Sequence, residues 1–172
     1  MPTRYDKPPI VLHAGELVFG RGRRLLHTLL GSCVAITLWH PQKRLGGMCH
    51  FALPAAPDGK ISTKPDARYA TDCVALFKKL ALERQTSLSD YQARIFGGGN
   101  MLHNARIAST EFNDVQKSPI GDSNCSQAFS LLIAEGVSIV EADVGENGYR
   151  KVSFDPYGGK ARSFFYGVDK TC

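Results

Sequence analysis

Residues 27–51 read HTLLGSCVAITLWHPQKRLGGMCHF, and the reading of this stretch decides the fold. Two apolar runs flank Pro41-Gln42-Lys43-Arg44, a polar turn opened by proline. The stretch therefore reads as a β-hairpin. With Gln42 and Lys43 at the centre of the turn, Val34 faces Phe51, Ile36 faces Cys49 and Leu38 faces Gly47. Those residues make one continuous apolar face. The opposite face carries Cys33, Ala35, Thr37 and Trp39 against Ala52, His50, Met48 and Gly46. His50 then lies opposite Ala35 and diagonal to Cys33, about 7–8 Å away at the backbone and within side-chain reach. A turn of odd length would flip the parity and separate the two.

A thiol beside an imidazole is a chemically useful pair. A free cysteine titrates near pH 8.5, so little of it is thiolate at neutrality. A neighbouring imidazolium lowers that value, and on this reading Cys33 would be largely ionised by about pH 6. The imidazole can protonate a departing amine and then activate water. Gly31 and Ser32 are small enough for close substrate approach, and backbone amides of that turn can hold an oxyanion. Hairpin geometry alone leaves two readings open. Cys33 and His50 are either packed strand residues or a nucleophile with its acid/base.

Working outward, IVLHAGELVF (10–19) reads as a strand and GRGRR (20–24) as a loop. PAAPDGKISTKPD (54–66) is a loop. A helix capped by Asp66 is expected to run to about Leu82, burying Tyr69, Cys73, Leu76, Phe77 and Leu80. ARIFGGG (93–99) is a strand ending in glycines, and 100–119 is ambiguous. A second helix is expected from about Asn124 to Glu135, with Phe129, Leu132 and Ile133 inward and Gly136 just beyond its end. VSIVEAD, YRKVSF and ARSFFY read as three closing strands, with GENG (145–148) and DPYGG (155–159) as hairpin turns. The class is mixed α+β, with a mostly antiparallel central sheet covered by two main helices.

At 172 residues one domain spanning 1–172 is expected, with 1–9 and 167–172 as loose tails. No apolar run approaches the roughly 20 residues of a membrane span, and MPTRYDKPPI lacks the apolar core of a secretory signal. The expectation is a cytoplasmic protein with no membrane insertion. Five cysteines without a CxxC pair support neither a zinc site nor a thioredoxin-type motif. Cys49 falls on the apolar hairpin face, Cys73 on a helix stripe, Cys125 at a helix start and Cys172 at the terminus. His13, His27, His40 and His103 are too dispersed to suggest a metal. GGGN (97–100) lacks the Lys and Ser/Thr of a phosphate loop and suggests close backbone approach instead. Net charge is +5, with Lys and Arg scattered apart from Arg21-Gly22-Arg23-Arg24 and no aromatic–basic RNA motif. An acidic partner surface is expected, not nucleic acid.

TLLGSCVAITLWHP followed by GGMCHFALP resembles the CheD family of bacterial chemotaxis, the chemoreceptor glutamine deamidases. RIFGGGNML (94–102) and EGVSIVEADVGENGYRKVSFDPYGGKA are similar to later segments of that family. The resemblance runs from about Ile10 to Tyr166. It implies a nucleophilic Cys33, an acid/base His50 and a third site residue at Thr28, although TLLGSC is one residue shorter than the usual TLGLGSC. IGDSN (120–124) lacks the arginine of an IGxRN-like segment, and Glu146 stands where glycine is frequent. The implied fold is an α/β sandwich with a central sheet, similar to cysteine-dependent toxin deamidases. The implied activity is hydrolysis of glutamine side chains on methyl-accepting chemoreceptors, with no metal and no organic cofactor. A CheC-type phosphatase is an implied partner in some bacteria. Two alternatives stand beside it: an adaptor that binds receptors or the phosphatase with weak catalysis, and a generic thiol protease or esterase.

Overall fold

The computed structural model describes residues 7–101 and 119–168. The hairpin is its centre. Strands β4 (Val34–His40) and β5 (Leu45–Phe51) pair antiparallel with Val34 on Phe51, Ala35 on His50, Ile36 on Cys49 and Leu38 on Gly47. The expected register holds because the loop 41–44 has an even number of residues. Arg44 closes it in the left-handed region (φ 50°), its N–H donating to the His40 carbonyl, while Lys43 N–H donates to His40 Nδ1.

Both faces of this hairpin are buried, which is why the runs look continuously apolar and only weakly alternating. One face packs under two helices, α1 (Ala70–Glu83) and α2 (Ile120–Ala134). There Val34, Ile36, Leu38, Cys49 and Phe51 meet Cys73, Phe77, Ala128 and Leu132. The other face packs on a second sheet, where Ala35 and Met48 meet Leu12, Leu26, Leu30, Val152 and Phe154. The architecture is a three-layer α/β sandwich: helices, a five-stranded sheet and a four-stranded sheet.

The remaining strands are β1 (Ile10–Leu12), β2 (Glu16–Gly20), β3 (Leu26–Leu30), β6 (Gln92–Gly97), β7 (Ser138–Val144), β8 (Gly148–Phe154) and β9 (Ala161–Gly167). The five-stranded sheet has the order β2-β5-β4-β6-β7 and the four-stranded sheet β1-β3-β8-β9. Pairing is mostly antiparallel; β1/β3 and β6/β7 are parallel. So the expected single central sheet is two sheets. The expected strand 10–19 is broken at Gly15 (φ 88°) and contributes to both. GENG is likewise no hairpin, because β7 and β8 belong to different sheets and the turn carries the chain between layers. DPYGG does join a hairpin, β8 to β9.

Helix α1 begins later than expected. Tyr69 is its N-cap, and Asp66 sits in the turn ahead of it, where its N–H donates to the buried Asp72 carboxylate at 2.8 Å. Cys73 and Phe77 are buried as expected, with Ala70, Val74 and Ala81 completing the stripe in place of Tyr69 and Leu80. Helix α2 begins earlier, behind Pro119, and Ile133 is 66% exposed although an inward position was expected. Gly136 ends it with φ 72°. No helix among the described residues is long and apolar enough to cross a membrane. Expectations for residues 1–6, His103 and Cys172 lie outside the described residues.

Candidate active site

The three residues singled out by sequence come from both sheets. Thr28 faces inward from β3, His50 faces inward from β5, and Cys33 immediately precedes β4 on the same inter-sheet side. Register places His50 directly across from Ala35, one strand step from Cys33. Thr28 reaches across the sheet interface to His50, with Oγ1 2.7 Å from Nδ1. The same hydroxyl donates to the Leu12 carbonyl at 2.8 Å.

Those two bonds fix the tautomer. A hydroxyl has one proton, and a carbonyl can only accept. The Thr28 proton therefore goes to Leu12, and Thr28 Oγ1 accepts from Nδ1–H of His50. The neutral ring then carries its lone pair on Nε2. That atom is buried and makes no hydrogen bond among the described residues.

Burial also sets the charge state. It pushes the Cys33 thiol above its ordinary value and pulls His50 below its own. For His50 burial is the largest influence; the Leu12 carbonyl and Glu16 oppose it weakly, and His13 adds to it. Both charged forms are penalised between two sheets. Burial thus favours the thiol and the neutral imidazole, against the sequence expectation of an ionised Cys33 near pH 6.

The turn that carries Cys33 is held by all three of its carbonyls. Gly31 O accepts from Gly99 N–H at 2.8 Å, Ser32 O from Asn124 Nδ2 at 3.0 Å and Cys33 O from Gly98 N–H at 2.9 Å. The glycine run 97–99 is thus a clamp on the cysteine turn. A Cβ at Gly97 would overlap the Cys33 carbonyl oxygen, and one at Gly98 would overlap Cys125 Sγ. Both also adopt positive φ, 109° and 64°. The expectation of close backbone approach at GGGN is met.

Asn124 was missed as a site residue. Fully buried on α2, it also donates Nδ2 to the Ala52 carbonyl at 2.9 Å, tying the chain after His50 to the chain before Cys33. The signal was present: a lone amide among Gly121, Cys125 and Ala128 on the buried helix face, inside IGDSN. Asn124→Ala leaves two part-buried carbonyls without that donor, so a loss of about 1–3 kcal/mol is expected in a denaturant melt. In the same variant kcat should fall more than KM rises, since the amide supports the turn and lies behind it.

Burial disfavours Cys73 and Cys125 as nucleophiles. Cys73 is buried, donates to the Ala67 carbonyl, and is pushed up by its neighbour Cys49 and by burial. Cys125, at the start of α2, is raised to about 11, mainly by burial. No cluster of metal-ligating residues occurs among the described residues. Arg150, 1% exposed, pairs with Asp143 at 3.2 Å and donates to Gly145 O at 2.8 Å, which braces the sheet-to-sheet turn beside the site.

A helix-backed double sheet with Cys33, His50 and Thr28 on its inter-sheet side defines a three-layer α/β sandwich protein. Comparison with known proteins supplies the family. The CheD model, described as CheD chemotactic sensory transduction, matches residues 52–163. A protein named probable chemoreceptor glutamine deamidase CheD from Pseudomonas syringae pv. tomato is 39% identical over 150 residues, covering 87% of this chain and 84% of its own. One of the same name from Pseudomonas savastanoi pv. phaseolicola is 40% identical over 161 residues, covering 92% and 85%. A third, CheD 3 of Dechloromonas aromatica, is 36% identical over 153 residues, covering 87% and 83%. The chain belongs to the CheD family. A crystal structure of the Bacillus licheniformis hypothetical protein YfiH aligns with a TM-score of 0.44 at 14% identity, covering 84% of this chain and 60% of that one, a likeness too slight to bear on function.

Proposed function

We propose that this protein hydrolyses the carboxamide of selected glutamine side chains on chemoreceptor cytoplasmic helices, converting each to glutamate. The observation that carries the reading is the Leu12–Thr28–His50 chain, which leaves Nε2 as a base on the inter-sheet side that Cys33 shares. The relatives named as chemoreceptor glutamine deamidases support the substrate class.

In the proposed reaction His50 Nε2 takes the Cys33 proton as sulfur attacks the carboxamide carbon. Backbone amides of the Gly31–Cys33 turn hold the oxyanion. The C–N bond then breaks, His50 returns the proton to the departing ammonia, and a thioester remains. Water, deprotonated by Nε2, attacks the thioester. Glutamate leaves and the thiol is restored. The net reaction is glutamine plus water to glutamate plus ammonia, with no metal or organic cofactor. The working place is the cytoplasm, and a CheC-type phosphatase is a candidate binding partner.

Because the resting pair is neutral, thiol reactivity should report burial. The iodoacetamide rate at Cys33 is expected to keep rising through pH 8–9, with no plateau in mild acid. Peptide mapping of protein alkylated across a pH series reads this directly. A plateau at about pH 6 would instead mean a standing thiolate–imidazolium pair. The test of the function is mass spectrometry of a receptor cytoplasmic fragment before and after incubation. Unchanged glutamines with intact receptor binding would favour the adaptor reading.

A further inference from the structure

We infer that the outer face of the four-stranded sheet is a docking surface for an acidic, amphipathic helix of the protein substrate; the substrate assignment rests on the deamidase reading above. Both helices cover the five-stranded sheet, and among the described residues no helix covers this face. Inward residues such as Leu26, Thr28 and Leu30 alternate with outward Leu29, and the partner strands follow the same pattern. Leu29, Lys151 and Phe164 share one rung across β3, β8 and β9. Tyr149 and Tyr166 share the next outward rung, their rings stacked 5.0 Å apart. Leu29 and Phe164 are each 57% exposed, a large apolar investment for a surface left in water.

The charge on this face has one sign. The four strands contain no aspartate or glutamate, and Lys151 and Arg162 point outward among the apolar groups. Lys151 Nζ lies 5.6 Å from the Tyr166 ring. Apolar side chains flanked by cations fit a helix whose apolar stripe is flanked by carboxylates. The exposed groups stand on the face, not along the sheet edge, so the partner must satisfy its own backbone hydrogen bonds, as a helix does. A second copy of the chain fits badly, because a twofold contact would set Lys151 and Arg162 against themselves with no carboxylate to pair them. The face borders the cysteine turn along the chain: Leu29, exposed on the outer side, stands two residues before Gly31.

Phe164→Glu and Lys151→Glu test this at positions with no part in the chemistry. The probe is a purified receptor cytoplasmic fragment, bound by full-length Cys33→Ala protein with and without each change. The dissociation constant should rise at least about tenfold in each variant, the size of effect typical of a central interface residue. Added salt should weaken binding by the parent protein more than by the Lys151→Glu form. In the active protein KM should rise while kcat stays within about twofold, with circular dichroism melts showing that the variants fold. Absent binding by the parent protein, affinity indifferent to both changes, or a dimer in sedimentation that dissociates on Lys151→Glu would overturn the proposal. Binding that depends on this face with no glutamine converted would sink the deamidase reading and leave the dock standing.

Discussion

Cys33→Ala protein is expected to convert no glutamine above background, a loss of at least about 10⁴-fold, the scale on which removal of a covalent nucleophile acts. On the proposed mechanism the thioester needs a sulfur at this position, and among the described residues Cys73 and Cys125 are poorly suited to replace it. Burial raises Cys125 to about 11, and Cys73 is pushed up by Cys49 and by burial in the helix-side core, away from His50. The fold should survive. Cys33 is only half-buried, and its turn is anchored through carbonyls bonded to Gly98, Gly99 and Asn124. Those bonds do not involve the thiol, so a cost near 1 kcal/mol is expected. Receptor-fragment mass spectra and a thermal melt on one preparation test both halves. Conversion by the variant would move the nucleophile elsewhere, and a collapsed melt would make Cys33 a packing residue.

The hairpin was legible because its register depends on a local quantity, the parity of a four-residue turn around Gln42 and Lys43. The partition into two sheets was not. Alternation says which residues share a face but not which distant strand lies beside them, and the strand read at 10–19 gave three residues to one sheet and four to the other. The same non-locality made GENG look like a hairpin turn, since two β-like runs flank it. Thr28 was legible by resemblance alone. Its partner lies 22 residues away on the opposing sheet, and nothing in TLLGSC states that its hydroxyl crosses the interface. Asn124 was harder still. One amide bonds two carbonyls 92 and 72 residues away, and such a contact leaves only an unexplained polar residue on an apolar helix face.

His50→Ala should lower kcat by roughly 10²- to 10⁴-fold, the range assigned to general acid–base catalysis. In this site the loss should fall toward the upper end. Burial raises the thiol pKa, so on the proposed mechanism the attack relies on Nε2 to take its proton. The departing ammonia loses its proton donor in the same substitution. The pH profile gives an independent signature. Burial lowers the His50 pKa, so the ring is neutral at physiological pH and loses its basic form only as pH falls below the ordinary histidine value of about 6.5. The wild-type kcat/KM should therefore hold through pH 7 and fall on an acid limb below about 6.5, and His50→Ala should abolish that limb. Thr28→Val separates holding the ring from reacting. It removes the acceptor for Nδ1–H and the donor to Leu12 O, so the ring can turn or change tautomer, yet Nε2 chemistry is still present in part. A smaller loss, about tenfold to 10²-fold, with the acid limb retained, is expected of a group that acts through His50. If Thr28→Val instead matched His50→Ala in both kcat and profile, the threonine hydroxyl would itself have to touch the reacting atoms.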